Sequence, residues 1–362
     1  MMEQDISAVL QQQVLDAFQN ETPLNISGGG SKNFLGNTTS TANTHKIDVS
    51  QHRGIVEYDP RELVLTARSG TPLQEIEAAL ASSNQMLAFE PPHFGAAATL
   101  GGTIACGLSG PRRPYSGSAR DFVLGCKLLN GRGEILRFGG QVMKNVAGYD
   151  VSRLMTGAHG TLGLLLEISL KVLPRPAASI TVVRECSAAE AITSMSSLLS
   201  KSQPADGACY HGEQYYVRIA GSAQAVKEAR TKIPGDVLPD AEKFWQGLRE
   251  HELPFFQHAV PNRNASLYRI VVKPATPPLD IEGSWLLDWG GAQRWLRSQE
   301  DVDAVRHHVA LAGGHVTVFR SEILQQQIFQ PLSAPLLTIH RRLKASFDPK
   351  NIFNRGRLYT EL

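Results

Sequence analysis

The residues best suited to bind a charged ligand form a loop near the N-terminus, Ser27-Gly28-Gly29-Gly30-Ser31-Lys32. The loop follows an apolar strand-like segment. Three residues without side chains let successive backbone N–H groups converge on an anion. Ser31 adds a hydroxyl donor and Lys32 a positive charge. The loop therefore predicts a phosphate site, and a flexible turn is the open alternative because it uses the same residue types.

Three further blocks follow in the first half of the chain. The first runs from Thr99 through Gly101, Gly102 and Thr103 to Gly107 and Gly110, where paired glycines bring backbone N–H groups against a second phosphate near a helix start. Gly107 and Gly110 allow a flat ligand to lie against the backbone. The other two blocks are Tyr115 to Asp121, and Lys144 to Asp150 with the continuation Gly157 to Glu167.

Several common nucleotide and hydrolase signatures are missing from the sequence. No G-x-G-x-x-G follows a strand-like segment, and no Gly-Lys dipeptide is present, which excludes the dinucleotide fingerprint and the P-loop. Neither H-E-x-x-H nor G-x-S-x-G occurs. The glycine blocks therefore need another explanation than these folds.

Composition limits the class of protein further. The chain has 362 residues, which exceeds the size of a single core and predicts two domains. Its net charge of +2, from 36 basic and 34 acidic residues, gives no reason to expect a nucleic-acid partner. Four cysteines without a C-x-x-C pair fit free thiols rather than a metal or iron–sulfur site, so we expect no bound metal.

Periodicity and turn signals place these blocks on an α+β frame. Strand-like segments alternate with helices, and Asn130-Gly131 predicts a hairpin between strands at 122–129 and 134–138. Pro174 and Pro176 interrupt the chain where its composition changes. We predict one domain over residues 1–176, a smaller α+β cap over 177–325, and a C-terminal helix and tail over 326–362 that return to the first domain.

The four blocks, taken in order, resemble the FAD-binding domain of the vanillyl-alcohol oxidase and p-cresol methylhydroxylase type. The tail from Phe347 to Arg357 is similar to the closing segment of that family. The resemblance implies two α+β subdomains that bind FAD, followed by the cap. It assigns FAD contacts to Gly28, Gly29, Gly30, Ser31, Lys32, Pro92, Gly101, Gly102, Thr103, Gly107, Gly110, Gly117, Asp121, Gly160, Gly163 and Leu165. Relatives that link the flavin covalently use a histidine where this chain has Gly30, so the resemblance implies noncovalent FAD.

Similarity in the cap, over 288–296 and 312–315, is closer to flavin subunits of multi-subunit 2-hydroxy-acid oxidases. It implies a larger FAD-binding subunit and an iron–sulfur subunit as partners, and oxidation of glycolate to glyoxylate by the complex. The N-terminus lacks a secretory pattern and no run is long enough to span a membrane. We expect a cytoplasmic protein that reaches the inner face of the membrane only through its partners.

Two departures from the family pattern concern chemistry. His159 stands where the family has glutamate, and the H-x-G-D-G-N-x-H cluster of catalytic relatives is missing. The remaining candidates for substrate chemistry are His315, Arg112, Arg113 and Lys144, and each also fits a structural role. We therefore predict a subunit that supports electron transfer or assembly. A self-sufficient 2-hydroxy-acid dehydrogenase and a structural subunit with a vestigial flavin site are the alternatives.

Overall fold

The computed structural model describes residues 4–37, 43–140, 149–200, 203–257, 265–321 and 327–362. The first half of the chain begins with helix α1 and alternates short strands with short helices. Its elements are α1 Ser7–Asn20, β1 Leu24–Ser27, β2 His45–Asp48, β3 Ile55–Asp59, β4 Val64–Arg68, α2 Leu73–Ser82, β5 Gln85–Met86, α3 Leu100–Cys106, α4 Arg113–Ser116, α5 Ala119–Phe122, β6 Val123–Leu129, β7 Ile135–Gly139, α6 Val151–Leu154, β8 Leu164–Lys171 and β9 Leu173–Pro174.

A five-stranded antiparallel sheet in the order β3-β4-β8-β6-β7 forms the centre of this half. Helices α2 and α3 bury Leu73, Ile76 and Ile104 in the core cluster that covers one face of the sheet. The parallel pair β1 and β2 packs with α1 in a second cluster that contains Leu164 and Leu166. The hairpin predicted around Asn130-Gly131 is confirmed as β6 and β7.

The second half builds one larger sheet. Its elements are β10 Ala178–Glu185, α7 Ala188–Ser200, β11 Ala205–His211, β12 Gln214–Gly221, α8 Ala223–Arg230, β13 Asp236–Val237, α9 Ala241–Glu250, β14 Ser266–Val271, β15 Ser284–Asp288, a 3-10 turn Trp289–Gly291, β16 Gln293–Ser298, α10 Val302–Leu311, β17 His315–Arg320 and α11 Ala334–Phe347. The eight strands pair antiparallel in the order β13-β10-β12-β11-β15-β16-β14-β17.

The two faces of this eight-stranded sheet have different neighbours. Apolar side chains such as Val217 and Ile270 face α7, α8 and α10. Alternate residues, such as Trp295 and Phe319, pack with α9 and with Leu108 of the first half. The predicted α+β fold, a flavin-type domain followed by a smaller cap, is confirmed at the level of fold class. The residue boundaries of the domains remain predictions.

Direct contacts join the two halves. The Glu250 carboxylate at the end of α9 accepts hydrogen bonds from the backbone N–H groups of His93 and Phe94, at 3.0 and 2.8 Å. The indole N–H of Trp289 donates to the carbonyl of Gly110 at 2.9 Å. Each contact satisfies a polar group that the interface removes from water, which fixes the orientation of the cap sheet.

The chain end returns to the first half, next to β1. The buried Lys344 ammonium near the end of α11 donates to the carbonyls of Thr161 and Phe353 and to the Asp348 carboxylate, at 2.6, 2.8 and 2.7 Å. Phe353 forms a parallel bridge with Leu24 of β1. A cation that joins three segments in the interior is costly to disturb, so Lys344 holds the tail in place. Among the described residues, no helix is long and apolar enough to cross a bilayer.

Candidate functional site

A cavity of about 440 Å³ lies where the glycine loop, helix α3, strand β17 and the C-terminal tail meet. We call it the main cavity. Residues 25–34 form one wall, and Val318 to Ser321 of the cap form another. Tail residues Asn354 and Arg357 close it from a third side. The site therefore uses three segments that are far apart in sequence.

The glycine loop can occupy its position only without side chains. A Cβ atom built on Gly29 would stand 1.5 Å from the carbonyl oxygen of Ala97, and Gly30 has a φ of +74°. The backbone N–H groups of Gly28, Gly29 and Gly30 donate to no other residue in the described part of the chain. Because the loop lines the main cavity, these donors are available to an anion there.

Lys32 supplies the positive charge of this wall. Its side chain is only 6% exposed, and its ammonium contacts the His93 carbonyl and the Ser31 hydroxyl, at 3.2 and 3.4 Å. Burial lowers the pKa of Lys32, while the nearby Cys106 and Glu250 oppose that shift. A buried ammonium without an ion pair among the described residues gains stability when an anion enters the cavity.

A smaller hollow of about 70 Å³ continues the main cavity inward. We call it the inner hollow. It shares Gly28, Gly102 and His159 with the main cavity and adds predicted contact residues of two other blocks. These added residues are Gly101, Gly160, Gly163 and Leu165. The fold thus brings residues from separate glycine blocks to one continuous space, although their contact with FAD remains a prediction.

His159 lies at the junction of the two spaces. Its backbone has a φ of +50°, and its carbonyl accepts a hydrogen bond from the Asn354 side chain at 2.7 Å. Burial lowers the pKa of His159 to about 3, and Arg357 adds a smaller effect of the same sign. The imidazole is therefore neutral at physiological pH, so this position carries no negative charge where the family has a carboxylate.

The tail contributes residues that the sequence patterns did not select. The Asn354 carboxamide oxygen accepts from the N–H of Ile26 at 2.8 Å, and its amide binds His159. The Arg357 guanidinium donates to the carbonyls of Asn33 and Leu35, both at 2.7 Å. Similarity of the tail to the closing family segment was the available signal, but it gave no role to these side chains.

Other predicted cofactor contacts lie outside these two spaces. Asp121 completes a capping box with Ser118, whose N–H and hydroxyl lie 2.8 and 2.7 Å from its carboxylate. Gly117 precedes that cap with a φ of +110°. Thr103 is fully buried within α3, and Gly107 ends the helix in a left-handed conformation. Each of these residues has a local structural role, and cofactor contact is untested for all of them.

Pro92 and Gly110 line a third space, a buried hollow of about 20 Å³ against the cap sheet. We call it the cap hollow. Its cap wall includes Arg269, Asp288 and Gln293, which the sequence patterns did not select. These three residues are separated in the sequence, and only the pairing of strands β14, β15 and β16 brings them together. Their proximity could therefore not be predicted from the sequence.

The candidates for substrate chemistry are dispersed. Arg112 binds Glu90 at 3.3 Å and also contacts Asp206, so its charge is used within the interface. The Arg113 guanidinium lies 4.2 Å from the centroid of the Trp289 ring. His315 is exposed at the start of β17, and Lys144 lies outside the described residues. The structure does not bring Arg112, Arg113 and His315 into one catalytic cluster.

The charges and residue types that line the site determine which kinds of ligand it can bind. Among the described residues, no group of three or more histidine, cysteine, aspartate or glutamate side chains could hold a metal ion. The main cavity and inner hollow instead combine unpartnered backbone donors, one buried lysine and apolar walls. These features suit an elongated ligand with a phosphate-rich centre and flat ends.

Comparison with known proteins first shows the class of protein to which this chain belongs. Residues 3–139 match the model of an FAD binding domain. A solved alkyldihydroxyacetonephosphate synthase superposes on 95% of this chain and 74% of its own, with a TM-score of 0.69 and 18% identity, which supports the fold. The chain is thus a flavoprotein of the FAD-dependent oxidoreductase class, and FAD is its cofactor.

The particular family follows from a full-length relative. The chain is 50% identical over 362 residues to glycolate oxidase subunit GlcE of Escherichia coli, which covers 100% of both proteins. It is also 31% identical over 155 residues to glycolate oxidase subunit GlcD of Bacillus subtilis, which is 43% of this chain and 33% of that one. The chain belongs to the family of glycolate oxidase subunits GlcE.

Proposed function

We propose that this chain is the smaller FAD-binding subunit of a multi-subunit glycolate oxidase that converts glycolate to glyoxylate. Its partners would be a larger flavin subunit related to the GlcD protein and an iron–sulfur subunit. In this proposal the chain is cytoplasmic, meets the membrane only through partners, and supports electron transfer or assembly. The name and full-length coverage of the GlcE relative support the reaction and the existence of a partner.

The main cavity is the observation that carries the proposal. Its glycine loop presents unpartnered N–H groups beside the buried Lys32, and it opens into the inner hollow beside Leu165. A chain that had lost its flavin would gain nothing from three unpartnered backbone N–H groups and a buried ammonium around one cavity. The proposal therefore favours a working flavin site over a vestigial one.

In this proposal, residues of this chain bind and orient the cofactor. Gly28, Gly29 and Gly30 would donate backbone hydrogen bonds to the pyrophosphate, and Lys32 would pair with its charge. Gly101, Gly102 and Leu165 would hold the part of FAD that enters the inner hollow. When held by these residues, FAD would supply two-electron redox chemistry to the complex. Because Gly30 has no side chain, the loop cannot form a covalent link to the flavin at that position.

The first test measures flavin retention in a matched pair of variants of the full chain. Lys32→Met removes the buried charge, whereas Lys46→Met removes an exposed lysine whose side chain is 61% accessible. We expect the Lys32 variant to weaken FAD binding by about tenfold or more, since a charge-assisted contact exceeds roughly 1.4 kcal/mol. The Lys46 variant should retain FAD like the parent chain.

A second measurement separates the alternatives. The visible spectrum of the FAD-loaded chain is recorded alone, then with glycolate, then with glycolate and the partner subunits. We expect bleaching of the flavin band only when the partners are present. Bleaching by glycolate alone would replace the proposal with a self-sufficient dehydrogenase. A chain that neither carries nor binds FAD would leave only a structural role.

A further inference from the structure

A polar array crosses the cap sheet on the face that meets the first half of the molecule. Strand register pairs Asp288 with Gln293, and Arg269 with Trp295 on the other side of β16. Because side chains alternate along a strand, Asp288, Gln293 and Arg269 share one face with Trp295 and Phe319. Most of that face is aromatic or aliphatic core, so these polar residues form an exception.

Hydrogen bonds connect the array into a chain. The Arg269 Nε donates to Gln293 Oε1 at 2.7 Å, and Gln293 Nε2 donates to Asp288 Oδ2 at 3.2 Å. The other oxygen of Asp288 accepts from the backbone N–H of Trp289 at 2.7 Å. The arginine and the carboxyl are thus linked through an amide, and they form no direct ion pair.

Arg269 has unused donor capacity. Apart from its Nε, its guanidinium donates to no side chain or carbonyl in the described part of the chain. The Arg269 guanidinium lies 4.9 Å from the centroid of the Trp289 ring. The Arg113 guanidinium lies 4.2 Å from the same centroid. Two cations around one indole repel each other, and an anion between the terminal amines of Arg269 would relieve that repulsion.

Asp288 is buried beside the same space. Its residue is 3% exposed, and no described cation lies within ion-pair distance of its carboxyl. An unpaired carboxylate and an arginine without a carboxylate partner are both costly to bury. Such a combination of polar groups around a cavity is more typical of a ligand site than of a core built for stability.

The cap hollow gives the array its shape. The side chains of Arg269, Asp288 and Gln293 line it from the cap, and the segment Leu108–Pro111 lines it from the flavin domain. Phe94, Trp295 and Phe319 form apolar walls. A volume of about 20 Å³ holds about one water-sized polar group, such as one oxygen of a carboxylate, and no long side chain.

We propose that Arg269, Gln293 and Asp288 form a binding site for the carboxylate of the smallest 2-hydroxy or 2-oxo acids. Arg269 would hold the carboxylate with its terminal amines, and Gln293 would keep the guanidinium in orientation. This inference rests on the proposed function for the reaction class, but it assigns carboxylate binding to this chain itself. The aromatic walls would exclude acids with a bulky substituent.

Burial also makes the site sensitive to pH. It raises the pKa of Asp288 to about 7, since desolvation outweighs its hydrogen bonds from Trp289 and Gln293. The groups that act on this carboxyl through space are Arg269, Glu90, Arg218, Tyr115 and Cys209, and Arg249 and His251 line the same hollow from the side of α9. Below pH 7 the neutral acid does not repel a bound anion, so carboxylate binding should weaken as the pH rises through 7.

The test is calorimetric titration of the FAD-loaded full chain with glycolate at pH 6 and pH 8. Arg269→Gln should weaken glycolate binding by about tenfold or more, as expected for loss of a charge-assisted pair. The matched control is Arg184→Gln, because Arg184 also stacks on an aromatic ring, Tyr215 at 5.3 Å, but on another strand of the sheet. Asp288→Asn should bind glycolate equally at both pH values.

The outcomes separate this inference from the proposed function. Unchanged glycolate binding in Arg269→Gln overturns the site, whatever the flavin does. If that variant does not fold, Asp288→Asn decides alone, and a pH dependence equal to that of the parent chain overturns the proposal. Hexanoate is the steric probe, and binding as tight as that of glycolate contradicts the small hollow. A chain that binds glycolate without retaining FAD would leave the site intact but refute the proposed function.

Discussion

The main cavity and the cap hollow offer opposite kinds of groups to the ligands proposed for them. The main cavity presents backbone N–H groups from a loop that has no side chains, with one lysine beside it. The cap hollow presents polar side chains from three strands of the cap sheet, Arg269, Asp288 and Gln293, between apolar walls that include Phe94, Trp295 and Phe319. Backbone sites need glycine in a continuous run, whereas side-chain sites need only correct strand register. The first kind is therefore visible in a sequence, and the second kind is not.

The largest expected effect tests the backbone site. Gly29→Val places a side chain against the Ala97 carbonyl, where even a Cβ would lie 1.5 Å from the oxygen. We expect loss of bound FAD, measured as flavin absorbance per purified chain. Gly212→Val is the control, because Gly212 lies in an exposed turn of the cap where a Cβ would meet no atom within 4 Å. Normal flavin content in the Gly29 variant would show that the loop does not hold the cofactor.

The next effect concerns the tail that closes the main cavity. Lys344→Met leaves the buried Asp348 carboxylate without its cation and two carbonyls without a donor. Loss of one partner of a buried pair costs about 3–5 kcal/mol, which urea unfolding measures directly. Arg342→Met removes an exposed charge from the same helix and should change the unfolding free energy by less than about 0.5 kcal/mol. Equal urea midpoints for the two variants would remove the anchoring role of Lys344.

The third prediction concerns the cap hollow, where replacement of a buried residue should raise the stability of the protein. The folded pKa of Asp288 is about 7, above the usual value of about 3.9 in an unfolded chain. The folded state thus holds a proton that the unfolded state releases, and stability falls as the pH rises from about 4 to 7. Asp288→Asn avoids this loss and should be more stable than the parent by up to about 4 kcal/mol at pH 8.

The control for this prediction is the same comparison at pH 4, where both chains carry a neutral group at position 288. Thermal or urea unfolding should then give nearly equal stabilities. A variant less stable than the parent at pH 8 would mean that ionised Asp288 is well paired. In that case the carboxylate site loses one of its supports.

The smallest expected effect is a loss of stability at a residue that we expect to be structural and to contact neither ligand. Asp121 forms the capping box of α5 with Ser118 and lines none of the three spaces described above. Asp121→Ala should cost about 1 kcal/mol of stability, typical of a lost helix cap, and leave flavin content unchanged. A lower flavin content at equal stability would instead support the cofactor contact that the family resemblance implies.

The elements predicted from sequence were those with local signals. The turn residues Asn130-Gly131 predicted the hairpin of β6 and β7, which the structure contains. Strand β16 gave no such signal, because all six of its residues are buried and two of them are arginines. Arg294 donates to the carbonyls of Gly291 and Pro277, and Arg297 donates to that of Phe256. Pro277 and Phe256 lie 17 and 41 positions away in the sequence, so burial of the arginines could not be predicted locally.

From the sequence by itself, the flavin class of this protein was predicted through the resemblance of its four blocks and its tail to an FAD-binding family, and the glycine positions were fixed. Consecutive glycines limit the side chains near the loop, and this limit follows from residue type alone. Tertiary structure decided which polar side chains meet. Asp288, Gln293 and Arg269 share a surface only through the pairing of β15 with β16 and of β16 with β14. Asn354 reaches Ile26 over 328 positions because Lys344 and Phe353 return the tail to β1. Such contacts depend on the free energy of the whole packed core, and a local sequence pattern does not determine that free energy.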